Sequence, residues 1–191
     1  MSPRTNQQNE ILRQQKRGQI MAAALELFAE NGFHATSISD IAKKAKISKG
    51  LVYNYFESKD QLLESIIRDG FERILEFFDP NHDGILTHDE LIYFLDSIFE
   101  IVQRDKAFWR LYMSLLIQPA VNNSKITEEY REKAAYLFQK LRDYFAKKGS
   151  KNPDADITLL HVAMDGVFFN YLYDDQFPLE GVKQLMIERL I

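Results

Sequence analysis

Apolar residues recur along this chain at three- and four-residue intervals, and no stretch shows the strict alternation expected of a half-buried strand. An amphipathic first helix is predicted to end at Asn31 and Gly32, because glycine readily takes the left-handed conformation that stops a helix. Ser37 opens a capping box that starts a short second helix, and after a tight turn Ser48 caps a short third helix ending near Phe56. The pattern therefore predicts one long helix followed by two short ones.

The same helical spacing continues to the end of the chain. Ser58 opens another capping box, at the start of a long fourth helix that runs through Phe78. Later helices are predicted to end before Pro119 and at Gly149, and the last helix is predicted to begin about Pro178. We expect an all-α fold of about nine helices without internal repeats.

Two short helices joined by a tight turn and supported by a longer helix are the parts of a helix-turn-helix unit, although a generic three-helix bundle has the same pattern. The residues of the third helix favour the DNA-binding interpretation over the generic bundle. Its sequence SKGLVYNYFESK contains Lys49, Tyr53 and Asn54, which are costly in a core but suited to phosphates and base edges. Val52 and Phe56 are four residues apart and can face the bundle while Tyr53 and Asn54 face outward. We therefore predict that this helix binds DNA.

The stretch GFHATSISDIAKKAKISKGLVYNYFESKDQLL, within residues 18–62, closely resembles the N-terminal domain of the TetR family of transcriptional regulators. The family pattern has a glycine-aromatic end of helix one, then T-S-hydrophobic-x-D-I-A, then S-K-G-x-hydrophobic-Y-x-Y-F-x-S-K. This chain matches that pattern almost position by position. The rest of the chain resembles the family only in its length and its number of helices.

The resemblance implies roles for individual residues. Ser37 would contact a phosphate, since a helix N-terminus and a hydroxyl both favour an anion. Tyr53 and Asn54 would face the major groove, whereas Tyr55 and Lys59 would hold the DNA backbone. The residues assigned to DNA in this way are Ser37, Ser48, Lys49, Gly50, Leu51, Tyr53, Asn54, Tyr55 and Lys59.

One position departs from the family pattern, because Lys46 stands in the turn where the family usually has glycine. A lysine in the left-handed conformation costs about 1 kcal/mol relative to glycine. The family pattern therefore does not predict the geometry of the turn between the second and third helices.

The resemblance also implies an organisation for the whole chain. Residues 1–60 would form the helix-turn-helix DNA-binding domain, with a disordered tail at residues 1–9, and residues 61–191 would form an effector-binding and dimerisation domain. A homodimer paired through residues 156–191 would bind palindromic double-stranded DNA. We expect a repressor that a small-molecule effector releases from its operator, and the sequence does not identify the residues that bind this effector.

Charge is unevenly distributed along the chain. Residues 1–60 hold 9 Lys and Arg against 6 Asp and Glu, a net charge of +3, whereas the remaining residues hold 15 against 22, a net charge of −7. A mildly basic N-terminal region followed by an acidic remainder suggests that the two parts have separate functions. There is no cysteine, and no apolar run is long enough for a signal peptide or a membrane span. We expect a soluble cytoplasmic protein without a membrane partner.

The stretch FDPNHDGILTHDEL, residues 78–91, matches the calcium-loop pattern D-x-[DN]-x-[DN]-G-x5-E in full. Side-chain oxygens, one backbone carbonyl and a bidentate glutamate at the twelfth position would surround a hard cation. The candidate Ca²⁺ ligands are Asp79, Asn81, Asp83, Ile85, Thr87 and Glu90. An ordinary turn followed by a capping box explains most of the same residues, and EF-hands usually work in pairs. The alternative function is therefore a calcium-binding sensor whose helix-turn-helix is incidental.

No constellation of residues indicates catalysis. The chain has no glycine-rich phosphate loop, no G-x-S-x-G and no H-E-x-x-H pattern. His34, His82, His88 and His161 are too scattered for a zinc site. We therefore expect that the protein is not an enzyme and requires no cofactor.

Overall fold

The computed structural model describes residues 6–81, 83–122 and 126–191, and within these ranges it contains ten helices and no strand. Nine correspond to the predicted helices, and the tenth is a single turn that begins at Pro119, so the all-α prediction is confirmed. Residues 6–9 belong to the first helix rather than to a disordered tail, and residues 1–5 lie outside the described residues. The helices are α1 (Asn6–Asn31), α2 (Ile38–Lys44), α3 (Lys49–Tyr53), α4 (Lys59–Leu75), α5 (His88–Arg104), α6 (Lys106–Leu116), α7 (Pro119–Asn122), α8 (Ile126–Lys147), α9 (Pro153–Tyr173) and α10 (Leu179–Leu190).

The helices form two compact units whose limits differ from the predicted domains. The first unit contains the chain as far as Gly70 together with the segment that begins at Leu111. The second contains Phe71–Arg110 and the chain from Thr127 onward. The division thus falls within α4 and α6, and not at residue 60.

The later segment belongs to the first unit because two of its side chains bond to the earlier helices. Tyr112 is buried, and its hydroxyl donates to the Ile67 carbonyl of α4 over 2.8 Å. The side-chain amide of Gln118 donates to the Phe28 carbonyl over 2.8 Å and accepts from the Phe33 N–H over 3.2 Å. Gln118 therefore bridges the end of α1 from a distant part of the sequence.

The core of the first unit lies beneath the helix-turn-helix elements. Ile20 and Phe28 of α1 are fully buried, as are Ile41 of α2 and Val52 of α3. Each such side chain contributes about 1.5–3 kcal/mol by leaving water. Gly32, with φ 83°, follows the last residue of α1, as predicted from its conformational freedom. This core determines where α2 and α3 lie.

The second unit has its own apolar cluster, formed by α5, α9 and α10. It consists of Phe99, Val167, Leu179 and Met186. Beside it, the Lys183 ammonium of α10 lies 2.8 Å from the Asp96 carboxylate of α5. Nowhere in the described ranges is a helix both long and apolar enough to serve as a membrane span.

Gly70 is the position in α4 where the core leaves no room for a side chain. A Cβ there would lie 2.3 Å from two carbons of the Tyr112 ring, whose hydroxyl is already held by a hydrogen bond in the core. We expect Gly70→Ala to lower the free energy of unfolding by about 1–3 kcal/mol, the usual cost of overpacking. Urea denaturation followed by circular dichroism measures this change.

Gly18→Ala is the matched control for this experiment. Gly18 also lies in a helix, α1, and a Cβ at that position meets nothing within 4 Å. Alanine is the better helix former, so this variant should gain up to about 1 kcal/mol of stability. A Gly70→Ala protein as stable as the Gly18→Ala protein would contradict the packing described for α4 and α6.

Candidate nucleic-acid interface

Ser37 caps the N-terminus of α2, as predicted. Its hydroxyl accepts from the Asp40 N–H over 3.2 Å, and the Asp40 carboxylate accepts from the Ser37 hydroxyl over 2.5 Å and from its N–H over 3.0 Å. These two hydrogen bonds to the carboxylate lower the pKa of Asp40, and the one from the Ser37 hydroxyl has the larger effect. The carboxylate therefore stays charged at neutral pH. Ser37 is exposed, but a phosphate at this position would compete with Asp40 for its donors.

α3 presents predicted DNA-binding side chains on its exposed face. Ser48 caps the helix by accepting from the Leu51 N–H over 3.2 Å. Lys49 is exposed and Tyr53 is 47% exposed, whereas Val52 is fully buried against the core. The division between an inner and an outer face of this helix is the one that the sequence predicted.

The regular part of α3 ends at Tyr53, three residues before the predicted end at Phe56. The Tyr55 N–H bonds to the Val52 carbonyl three residues back, over 3.0 Å, which closes a tighter turn than an α-helix makes. Asn54, the C-cap, is exposed and Tyr55 is half-buried. Asn54 therefore faces outward, as predicted, but it lies at the end of α3 and not within the helix.

Lys46 adopts the left-handed conformation, with φ 54°. Its N–H bonds to the Lys43 carbonyl over 3.2 Å, and the Ile47 N–H bonds to the Ala42 carbonyl over 3.0 Å. These two bonds make a Schellman motif, the helix ending that glycine usually provides. The turn between α2 and α3 thus has the left-handed helix ending typical of glycine, despite the lysine.

Lys59 has a different environment from the one predicted for it. Its ammonium donates to the carbonyls of Phe33 and Thr36, each over 2.8 Å, and lies 4.4 Å from the centre of the Phe33 ring. Two of its three N–H donors therefore hold the segment between α1 and α2 in place. Lys59 organises the interface in this structure, and one donor remains for a DNA phosphate.

An open cleft of about 420 Å³ lies beside the start of α2 and the outer face of α3. It is lined by residues 34–39, Lys49, Tyr53 and residues 57–59. Four of the predicted DNA-binding residues meet here: Ser37, Lys49, Tyr53 and Lys59. Cationic groups, hydroxyls and a helix N-terminus together favour an anion such as a phosphate.

The remaining predicted DNA-binding residues do not line this cleft. They are Ser48, Gly50, Leu51, Asn54 and Tyr55. Gly50 is exposed, and its surroundings leave open space within 4 Å of a Cβ, so the backbone is accessible there. His34 and Ser39 line the cleft but were not predicted, although their positions beside Ser37 were a usable signal.

The calcium-like loop lies in the second unit, between α4 and α5. The Asp79 Oδ2 accepts from the Gly84 N–H over 3.2 Å, which closes the first half of the loop. Ile85, the predicted carbonyl ligand, has a side chain that is 56% exposed. His82 lies outside the described residues.

The other predicted ligands are linked by hydrogen bonds. The Asn81 Nδ2 donates to the Asp83 Oδ2 over 3.2 Å and to the Glu90 Oε1 over 2.8 Å. Thr87 and Glu90 form the predicted capping box at the start of α5. Across the described residues, no three Asp, Glu or His side chains are close enough together to hold a metal ion as they stand. Calcium binding therefore stays a prediction.

Comparisons with known proteins agree with the geometry of the first unit. Residues 20–66 match the family model described as bacterial regulatory proteins, tetR family. The HTH-type transcriptional regulator UidR of Escherichia coli (strain K12) is 30% identical over 150 residues, covering 76% of this chain and 74% of that protein. The biofilm operon icaADBC HTH-type negative transcriptional regulator IcaR of Staphylococcus epidermidis is 29% identical over 127 residues, covering 66% of this chain and 67% of that protein. The structure of Salmonella enterica GusR has a TM-score of 0.65 and 27% identity, covering 92% of this chain and 93% of that chain.

The exposed face of α3, the capped starts of α2 and α3, and the cleft beside Ser37 and Tyr53 define a helix-turn-helix protein that binds DNA. The chain belongs to the TetR family of bacterial transcriptional regulators. The resemblance of residues 18–62 to the TetR family is thereby confirmed. The first unit contains the DNA-binding part of a transcriptional regulator.

Lys46→Gly tests the geometry of the turn in the helix-turn-helix unit. Glycine adopts the left-handed conformation without strain, so the free energy of unfolding should rise by about 1 kcal/mol. Lys46→Ala removes the same charge but keeps a Cβ at φ 54°, and it should show no such gain. Thermal unfolding in the absence of DNA separates the two effects. Equal stability of the glycine and alanine variants would contradict the left-handed turn.

Proposed function

We propose that this protein is a homodimeric repressor in which two copies of α3 read successive major grooves of a palindromic operator, about 34 Å apart. The observation that carries the proposal is the cleft that joins Lys49 and Tyr53 to the N-terminus of α2 at Ser37. Lys49 neutralises a backbone phosphate, which positions α3, while Tyr53 and Asn54 reach the base edges. Repression is supported by the similarity to IcaR, which is itself named a negative regulator.

Pairing of two chains is supported by an apolar stripe along one face of α9. Its members recur at helical spacing and are all more than half exposed: Leu159 (53%), Val162 (60%), Phe169 (60%) and Tyr173 (53%). On α10, Leu185 is 50% exposed. An exposed apolar stripe is unfavourable in water, and a second copy of the same stripe would cover it. We propose that residues 156–191 form this dimer interface.

Release from DNA is proposed to follow the binding of a small apolar or amphipathic molecule by the second unit. Such an effector shifts the equilibrium only by its difference in affinity for the DNA-bound and released dimer geometries. The family membership supports this step. Calcium binding by the loop after α4 would be an addition to DNA binding, not an alternative to it.

Lys49→Ala and Tyr53→Ala test the DNA-binding surface. Loss of one phosphate contact should weaken binding to all sequences and lower the salt dependence of log K by about 1. Loss of a base contact by Tyr53 should cost about 1–3 kcal/mol. Fluorescence anisotropy on a labelled fragment of the DNA upstream of the gene, at fixed ionic strength, measures both. Lys148→Ala, the same charge change at an exposed site of the second unit, should bind like the unaltered protein. If neither substitution on α3 weakens binding, α3 is not the recognition helix.

Val162→Glu combined with Phe169→Glu tests the proposed dimer interface. Two carboxylates on the stripe of each chain would be buried next to each other on pairing, so sedimentation should show monomers in place of dimers. Ile11→Glu is the control, because Ile11 is also an exposed apolar residue, 51% exposed, but lies on α1. Dimers that survive the double substitution would place the interface elsewhere.

A further inference from the structure

The calcium-like loop between α4 and α5 contains a buried carboxylate, one oxygen of which the fold leaves without a hydrogen-bond partner in the described part of the chain. Asp79 is only 7% exposed, and its Oδ1 is buried without a hydrogen-bond partner among the described residues. The other oxygen, Oδ2, accepts from the Gly84 N–H over 3.2 Å and from the Tyr136 hydroxyl over 3.0 Å. Because the Gly84 bond crosses the loop, the carboxylate is directed into it. An unpaired carboxylate oxygen is costly to bury, so this position favours a cation.

The surroundings of Asp79 are electronegative. Lys140 is a basic group beside the loop, and its Nζ would lie 3.3 Å from a Cβ placed on Gly84. The Lys140 ammonium is also 5.1 Å from the centre of the Tyr136 ring. The one positive charge of Lys140 can offset only part of the charge of the Asp79, Asp83 and Glu90 carboxylates.

The Asn81 amide nitrogen occupies the space between the other two carboxylates. Its Nδ2 lies 3.2 Å from the Asp83 Oδ2 and 2.8 Å from the Glu90 Oε1. The amide nitrogen thus lies at a point that is close to both carboxylates, where a bound cation would be attracted by both. The amide oxygen accepts from the Asp83 N–H over 3.0 Å. A half-turn of the amide would exchange this hydrogen bond and the two donated ones for an oxygen directed at the ion.

We propose that the loop from Asp79 to Glu90 is a calcium site, in which the buried Asp79 carboxylate and the Glu90 carboxylate bind the ion together with Asn81 and Asp83. Ile85 contributes its carbonyl and Thr87 holds a water at the positions that the spacing assigns to them. All of these donors are oxygens, which hard cations prefer. Calcium accepts six to eight of them in an adaptable geometry, whereas magnesium demands a near-ideal octahedron.

The backbone of the loop has the turn that a calcium loop requires at its sixth position. Gly84 at the sixth position has φ 71°, and its N–H reaches the Asp79 carboxylate. Thr87 caps α5, which places Glu90 in the first turn of that helix facing back toward Asn81. Calcium binding therefore needs a rearrangement of side chains around Asn81 and no refolding of the helices on either side.

Isothermal titration of the full-length chain with CaCl₂, after treatment with chelator and at fixed ionic strength, tests the proposal. We expect one calcium per chain, with a Kd between about 10⁻⁷ and 10⁻³ M, and a rise in Tm on adding calcium. Asp79→Asn and Glu90→Gln keep the shapes of these side chains and should each weaken binding at least tenfold. Asp89→Asn removes an exposed carboxylate from the same segment, at a position that the spacing does not use, and should bind like the unaltered protein.

Two further variants separate a metal site from a merely structural role. Asp79→Asn removes the buried charge, so in chelator its Tm should equal or exceed that of the unaltered protein and should no longer respond to calcium. Lys140→Met removes the ammonium beside Gly84 and should tighten calcium binding several-fold. If Asp79→Asn does not fold, Glu90→Gln still decides the question, because glutamine keeps the capping box of α5.

The proposal is overturned if the folded, unaltered protein shows neither heat nor a change in Tm with calcium at about ten times the weakest Kd of the expected range. It is also overturned if Asp79→Asn and Glu90→Gln bind calcium as tightly as the unaltered protein. An equal loss of affinity in Asp89→Asn would show diffuse binding to acidic surface instead of a site. None of these outcomes depends on DNA binding, which the substitutions on α3 test separately.

Discussion

The burial of two very short helices in the core of the first unit is the constraint on which the DNA-binding surface depends. α2 has seven residues and α3 has five, whereas an isolated helix of fewer than about 12 residues is unstable in water. They form because Ile41 and Val52 are buried in the core beneath them and because Ser37 and Ser48 cap their first turns. Any change that loosens this core displaces the DNA-reading side chains without touching them.

Features that depend on residues within a single turn could be predicted from the sequence. The caps at Ser37 and Thr87 and the end of α1 before Gly32 are of this kind, because their partners lie three or four positions away. The environment of Lys59 could not be predicted, since its acceptors belong to Phe33 and Thr36, more than twenty residues earlier. The limits of the two units depend on long-range bonds in the same way. The cleft gathers only some of the predicted DNA-binding residues, because the turn after α2 decides which side chains meet.

The loop after α4 shows how one set of residues satisfies two patterns at once. A capping box requires a glutamate or glutamine three residues after its capping hydroxyl, and a calcium loop requires a glutamate at its twelfth position. Here Glu90 gives one carboxylate oxygen to Thr87 and the other to Asn81. The capping pattern is complete within the structure, whereas Asp79 lies buried with an oxygen that capping does not explain. Sequence spacing alone could not separate the two interpretations, because the burial of Asp79 depends on packing against a distant helix.

The long-range bonds of Gln118 have a consequence for how the protein is made. The first unit is discontinuous, since a segment of the second unit separates the chain up to Gly70 from the part that begins at Leu111. During synthesis, α1 to α3 leave the ribosome before the side chain that bridges Phe28 and Phe33 exists. Because domains generally fold as units, the DNA reader is completed only after α6 has been translated. An unfinished chain therefore does not present a finished recognition surface to the genome.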